Sequence, residues 1–332
     1  MKIIFILEFG LNYGLGHLAR CSNLAQSLLN KNFKVGLITS KNLINSEQKK
    51  IVDKFLTPFN SNIWRLNKLK IKENYNYCDN FNLINEVIQN NAVIIDHYYL
   101  SKEFVNNLNT YRTIIHFKDD VYADDILDSS NNHHKTVYFL PETLVRNKYN
   151  GFKKNIYSGL DLFPLFPYYL KFKFPEFYLG NKKNIFLAPG SNQNNLFNEI
   201  IKKINNYSLK NNFNIFTPVQ CNSNFINIKT IDGSQGLHNY IYYSDLVICA
   251  AGNVMLETLF FNLKPLVYCT NENQICLIDY FENNNKAFHI KNINLLSETL
   301  IINTCKENKK LLRKQTESYF CYDNLLNIIL NE

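Results

Sequence analysis

Short β-branched and aromatic runs, each bounded by turn residues, alternate along this chain with longer segments in which apolar residues recur at helical spacing. In the first half the runs are Lys2 to Leu7, Phe33 to Thr39, Ala92 to Asp96, Arg112 to Phe117 and Thr136 to Leu140. Behind the first of them, Leu18, Cys21, Leu24, Ala25 and Leu28 fall on one helical face. The second half repeats the design with runs near Asn184 to Ala188, Asn214 to Thr217, Asp245 to Ala250 and Pro265 to Cys269; helical patterns follow the first, third and fourth. Strands alternating with helices in this way predict βαβ units and parallel sheets. The expected fold is α/β, with two Rossmann-like domains facing a cleft.

The divide is expected within Gly159 to Pro167, where Pro164 and Pro167 forbid a continuing helix. This predicts a first domain over 1–163, a linker over 164–179 and a second domain over 180–332. A chain of 332 residues is long enough to give each half its own core. From Asn42 to Asn82 the sequence is rich in Asn and Lys and predicts no definite element. No repeat of solenoid length is present.

Composition narrows the function. With 46% hydrophobic and 19% charged residues, disorder of the low-hydrophobicity kind is excluded over most of the chain. The formal charge of +8 is spread along the sequence and suits an anionic ligand; no basic helix, zinc finger or aromatic-glycine strand motif accompanies it to indicate nucleic acid. Eight cysteines lack any CxxC pair, and several lie in apolar runs such as Val247-Ile248-Cys249, so they read as buried thiols in a reducing compartment. The run Ile3 to Leu7 ends at Glu8, short of a signal peptide or membrane span, and no amphipathic basic helix offers lipid a broad apolar face. A cytoplasmic protein without membrane insertion is expected.

Four segments could carry chemistry. In the first, Glu8 to Arg20, Gly14 and Gly16 let the backbone turn tightly between strand and helix, and the helix start offers N–H groups to an anion. The order G-x-G-H-x-x-R places His17 and Arg20 where the dinucleotide fingerprint has a spacer and its third glycine, so that fingerprint is excluded. His17 becomes the candidate base, since imidazole exchanges protons near neutral pH; the alternative is a histidine that caps its own helix. The second segment is the strand end Val93-Ile94-Ile95-Asp96-His97-Tyr98, which should reach the same cleft because ligands of open α/β sheets bind beyond the carboxyl ends of strands. Asp96 orients an imidazole, meets substrate or caps a turn; Tyr98 is expected to touch substrate.

The third segment is Pro189-Gly190-Ser191-Asn192, a strand-to-helix turn whose amides and Ser191 hydroxyl suit phosphate, although any such loop looks similar. The fourth runs from Ser244 to Glu257: Gly252 and Asn253 open a helix towards a ligand, and Glu257 can accept from ribose hydroxyls or stand as a solvated surface acid. Asn273 and Gln274 follow the next strand and should enter the same cleft. Asp119-Asp120 and Asp124-Asp125 read as a polar loop before a Mg²⁺ site, and the adjacent His133 and His134 point apart in an extended chain. No metal and no cofactor is expected.

Taken together, G-x-G-H-x-x-R with Cys21, the strand end Ile95 to Tyr98, the P-G-S-N turn, the A-G-N-V-M-L-E segment and the Asn273-Gln274 pair resemble the UDP-sugar hydrolases of pseudaminic acid biosynthesis. The motifs occur in that family's order over nearly the whole chain. This chain also departs from the family's pattern: an Arg and an Asp are usual at the first strand end, where it has Ile6 or Leu7 and Glu8; the usual G-G-[ST]-D turn is Pro189-Gly190-Ser191-Asn192; and hydroxyl residues after Gly252 are replaced by Val254 and Met255. The resemblance implies the two-domain fold of the B-type glycosyltransferases and metal-free hydrolysis of UDP-2,4-diacetamido-2,4,6-trideoxy-β-L-altropyranose at its anomeric carbon. By the same resemblance His17 activates water, Tyr98 and Asn273 contact the sugar, and Glu257 contacts the ribose. A B-fold glycosyltransferase using a UDP-sugar donor and a non-catalytic nucleotide-sugar-binding subunit are the alternatives.

Overall fold

The computed structural model describes residues 2–10, 15–40, 46–60, 62–66, 78–97, 105, 108, 112–119, 133–149, 155–165, 182–190, 195–211, 213–219, 228–231, 237–311 and 322–330. The chain forms two compact units, one of residues 1–170 with 318–332 and one of residues 171–317.

In the first unit seven parallel strands lie in the order β3-β2-β1-β4-β5-β6-β7. They are β1 (Lys2–Leu7), β2 (Lys34–Ser40), β3 (Ile63–Leu66), β4 (Ala92–Asp96), β5 (Ile114–Lys118), β6 (His134–Tyr138) and β7 (Ile156–Ser158). The described helices are α1 (Gly16–Asn30), α2 (Ser46–Leu56), α3 (Cys78–Ile88) and α4 (Glu142–Tyr149). The central strands are buried along their length, which is why their sequences read as unbroken apolar runs. Ile4, Ile6, Val93 and Ile95 pack one face of the sheet against Ile84 and Ile88 of α3.

In the second unit six parallel strands follow the order β10-β9-β8-β11-β12-β13. They are β8 (Lys183–Ala188), β9 (Phe213–Thr217), β10 (Ile228–Thr230), β11 (Leu246–Ala250), β12 (Leu266–Tyr268) and β13 (Phe288–His289). The helices are α5 (Asn195–Asn211), α6 (His238–Tyr243), α7 (Asn253–Phe260), α8 (Ile275–Asn283) and α9 (Glu298–Lys310). Each sheet reverses its strand order once, between β1 and β4 in the first unit and between β8 and β11 in the second. At such switch points the connections leave in opposite directions and open a crevice beyond the strand ends.

The last helix, α10 (Tyr322–Leu330), differs from expectation. The sequence places it in a second domain over 180–332, but residues 318–332 group with the first unit. Its Leu325, Leu326 and Ile329 are buried, and Lys135 of β6 donates to the Ile328 carbonyl at 2.8 Å. Asn324 and Asp323 add polar contacts to Asp161 and Lys31. The boundary between the units at residue 170 falls within the expected linker, most of which lies outside the described residues. Among the described residues no helix is long and apolar enough to cross a membrane.

Candidate active site

The described candidates of the first unit, Gly16, His17 and Asp96, gather at its switch point. Leu7 at the end of β1 is in register with Asp96 at the end of β4, and α1 opens beside them with Gly16 and His17. Leu15, the N-cap residue, makes no side-chain cap hydrogen bond to this helix start. The His17 Nδ1 lies 2.9 Å from the Asp96 carbonyl oxygen and 2.8 Å from Asp96 Oδ1. Both neighbours accept hydrogen bonds, so Nδ1 must carry the hydrogen and donate it. In the neutral ring that leaves the lone pair on Nε2, the nitrogen able to take a proton.

Asp96 is itself held from three sides. Arg20 donates through Nε to Oδ2 at 2.6 Å and through a terminal nitrogen to Oδ1 at 2.5 Å, while the Cys21 thiol donates to Oδ2 at 3.3 Å. Burial alone would raise the carboxyl's pKa, but the Arg20 guanidinium and then His17 outweigh it and hold Asp96 below the usual carboxylate range. The same burial, reinforced by Asp96, pushes the Cys21 thiol well up, so this cysteine stays protonated and unreactive. Arg20 also pairs with Asp119 at 3.0 Å and sits over the Phe139 ring.

This arrangement corrects one expectation. Asp96, counted among the substrate contacts, is only 1% exposed with both oxygens committed, so it meets His17 and Arg20 and leaves no face for a ligand. Asp119 pairs with Arg20, whereas Asp120, Asp124 and Asp125 lie outside the described residues. The grouping of His17, Arg20 and Cys21 was visible in their i, i+3, i+4 spacing, which puts all three on one helical face. His97 is buried, and burial together with nearby His17 lowers its pKa to about 3. It is therefore a poor base at neutral pH. Gly14 and Tyr98 lie outside the described residues.

In the second unit, β8 ends in the Pro189-Gly190 turn beside the end of β11. Gly190 has φ +81°, and a Cβ there would stand 2.7 Å from the Ala250 Cβ. Gly252 caps α7 with an extended backbone, φ −168°, and a Cβ there would meet nothing within 4 Å. The two glycines thus answer different demands. Gly190→Ala is expected to destabilise the protein by about 1–3 kcal/mol through strain and collision. Gly252→Ala should stay within about 1 kcal/mol of wild type, so an affinity loss there would report a ligand against the helix start. Chemical denaturation and UDP titration of both variants would separate the cases.

Asn253 and Glu257 are both partly exposed on α7. The Gln274 side-chain oxygen accepts from the Thr270 amide at 2.9 Å and its hydroxyl at 3.0 Å. Gln274 therefore holds its own turn and has only its amide group to offer a ligand. Asn273 is in the short 3-10 turn Glu272–Gln274 that precedes α8, its side chain lying outside the described residues, as do Ser191 and Asn192. Among the described residues one group, Asp279, Glu282 and His289, brings three metal-ligand atoms within 4.8 Å of one another. Glu282 there accepts from the His289 amide at 3.0 Å and stands 3.9 Å from the Lys291 ammonium.

No protein-family model and no curated protein matches the chain. Solved structures do. MurG of Acinetobacter baumannii is similar at 10% identity with a TM-score of 0.64, over 100% of both chains. S. aureus MnaA in its structure with UDP aligns at 13% identity and TM-score 0.62, over 98% of this chain and 95% of that one. The UDP-GlcNAc 2-epimerase from Neisseria meningitidis bound to UDP-GlcNAc aligns at 12% identity and TM-score 0.59, over 100% of both. With the two parallel-sheet α/β units, these similarities show the two-domain fold of the B-type glycosyltransferases.

Proposed function

We propose that this protein is an enzyme acting on a UDP-sugar, and that it hydrolyses a UDP-activated amino sugar at the anomeric carbon with His17 as general base. The observation that carries the reading is the imidazole at a strand-order reversal, its Nδ1 hydrogen held by Asp96, which puts the neutral ring's lone pair on Nε2. The UDP and UDP-GlcNAc of the similar structures supply the ligand class. In this reaction a water oxygen bonds to the anomeric carbon as His17 Nε2 takes its proton. The bond from that carbon to the diphosphate breaks, and UDP leaves with the electron pair. The resemblance assigns sugar contacts to Tyr98 and Asn273, and Gly14 and Gly16 lie just before the His17 base in the sequence. We assign the phosphates to the start of α7 at Gly252 and Asn253 and to Ser191 and Asn192 of the P-G-S-N segment, and the rest of the nucleotide to Glu257 and Gln274. The resemblance names the product as a free 2,4-diacetamido-2,4,6-trideoxy sugar on the way to pseudaminic acid.

Incubation with a panel of UDP- and CMP-sugars, with no acceptor, tests this reading. UDP release is expected, and it should persist in EDTA; activity that vanishes with EDTA and returns with Mg²⁺ or Mn²⁺ would refute the metal-free route. The full-length similarity to MurG supports a second reading, a transferase with a UDP-sugar donor. Release that waits for an added acceptor would favour it. No release from any donor would favour a binding subunit.

A further inference from the structure

Glu8 is a buried acid that the reaction above does not use. It is the first residue past β1, next to Leu7, whose register partner is Asp96, the residue that orients His17. Only 4% of Glu8 is exposed. Its Oε2 accepts from the Ser40 hydroxyl at 2.5 Å, while its Oε1 is buried with no hydrogen-bond partner among the described residues. Continued past the last paired residues, by two along β2 and by one along β4, the registers of β1 set Glu8 between Ser40 and His97, and the register of β4 with β5 sets Lys118 on the far side of His97. Among the described residues Glu8 has no ion-pair partner. Folded proteins leave few buried polar atoms unsatisfied, so an unpaired carboxyl oxygen at this strand end, where ligands of open α/β sheets bind, marks a place for a ligand's polar group.

We propose that Glu8 is a ligand-binding residue of the first unit, standing as a carboxylic acid that donates from Oε1 to a hydroxyl or amide-carbonyl oxygen of the sugar. The inference rests on the nucleotide-sugar reading. An acid in this form suits the ligand class, because a carboxylate could only accept hydrogen bonds and would repel a nearby diphosphate, whereas the neutral group donates and repels nothing. The environment favours the same form: burial raises the Glu8 pKa to about 7, against the lowering pull of the Ser40 hydrogen bond. His97, with its pKa lowered to about 3, is uncharged beside it. Binding above pH 7 must then take up a proton, since the bound state needs the acid that solution has partly ionised.

Calorimetric titration with UDP-N-acetylglucosamine and with UDP, at pH 6 and pH 8 in two buffers of different ionisation heat, reads that proton directly. For wild type we expect uptake approaching one proton with UDP-N-acetylglucosamine at pH 8, affinity several-fold weaker than at pH 6, and no such uptake with UDP. Glu8→Gln keeps a donor at every pH, so it should retain the pH 6 affinity and lose both the uptake and the pH 8 weakening. Ser40→Ala removes the bond that favours ionisation and should restore affinity at pH 8. Unchanged uptake and pH dependence in Glu8→Gln would overturn the role of Glu8 while leaving the nucleotide-sugar reading intact. If neither UDP nor UDP-N-acetylglucosamine binds wild type at either pH, both fall. Should Glu8→Gln unfold, the Ser40→Ala shift decides alone: an affinity profile identical to wild type refutes the proposal.

Discussion

Replacing His17 with Asn should lower turnover by about 10²–10⁴ and leave UDP affinity nearly unchanged. Asn is close to imidazole in size and can still donate to the Asp96 carbonyl, so the start of α1 should keep its place. It cannot take a proton from water. The effect should therefore fall on kcat, the signature of an interaction made in the transition state. His97 cannot stand in for it, because burial has lowered its pKa to about 3 and its proton affinity is too weak at neutral pH. Single-turnover kinetics beside UDP calorimetry checks both halves. Wild-type turnover in the mutant would reduce His17 to a cap or binding residue.

Most of the sheet core was legible in the sequence because parallel strands buried on both faces must be apolar throughout. Runs such as Ile3 to Leu7 and Leu246 to Ala250 have no other sensible reading. Four strands escaped notice, and they are the two edges of each sheet: β3, β7, β10 and β13. An edge strand pairs on one side only, so it can be short and half exposed. Ile156–Ser158 and Ile228–Thr230 carry three residues each with little burial, which is too little pattern to recognise. The docking of α10 was illegible for another reason. Its apolar stripe announces a buried face but not which sheet buries it.

At the site, local chemistry was legible and long-range chemistry was not. Gly14, Gly16, His17 and Arg20 fall within seven consecutive residues that lead into α1, so the sequence shows them together. Asp96 lies 79 residues from His17, and only the pairing of β4 with β1 brings its carboxylate under the ring. The Gln274 side chain looked free to meet substrate for the opposite reason, since the Thr270 groups that occupy it come from a turn whose geometry is not written in residue types.

The buried carboxylate gives the larger test of stability. Asp96→Ala strips Arg20 of its main partner in a setting where the guanidinium side chain is 4% exposed, and should cost about 3–5 kcal/mol, the usual penalty for breaking a buried ion pair. Asp96→Asn keeps the volume but presents an amide N–H₂ to donors on at least one side, whether Arg20 or His17. The ring keeps its bond to the residue 96 carbonyl but loses the charged acceptor that stabilises the imidazolium formed when it takes a proton, and turnover should fall on the order of 10²–10⁴ even where the variant folds. Acid behaviour separates this ionic role from simple packing. The folded-state pKa of Asp96 lies below its unfolded value of about 3.9. Unfolding therefore takes up a proton in acid, and the carboxylate's contribution, fully present above about pH 4, fades as pH falls through the folded value. Denaturation of wild type and Asp96→Asn between pH 2 and pH 6 should show a stability gap that narrows towards pH 2. A gap constant across that range would mean that shape, and not charge, is what Asp96 supplies to His17 and Arg20.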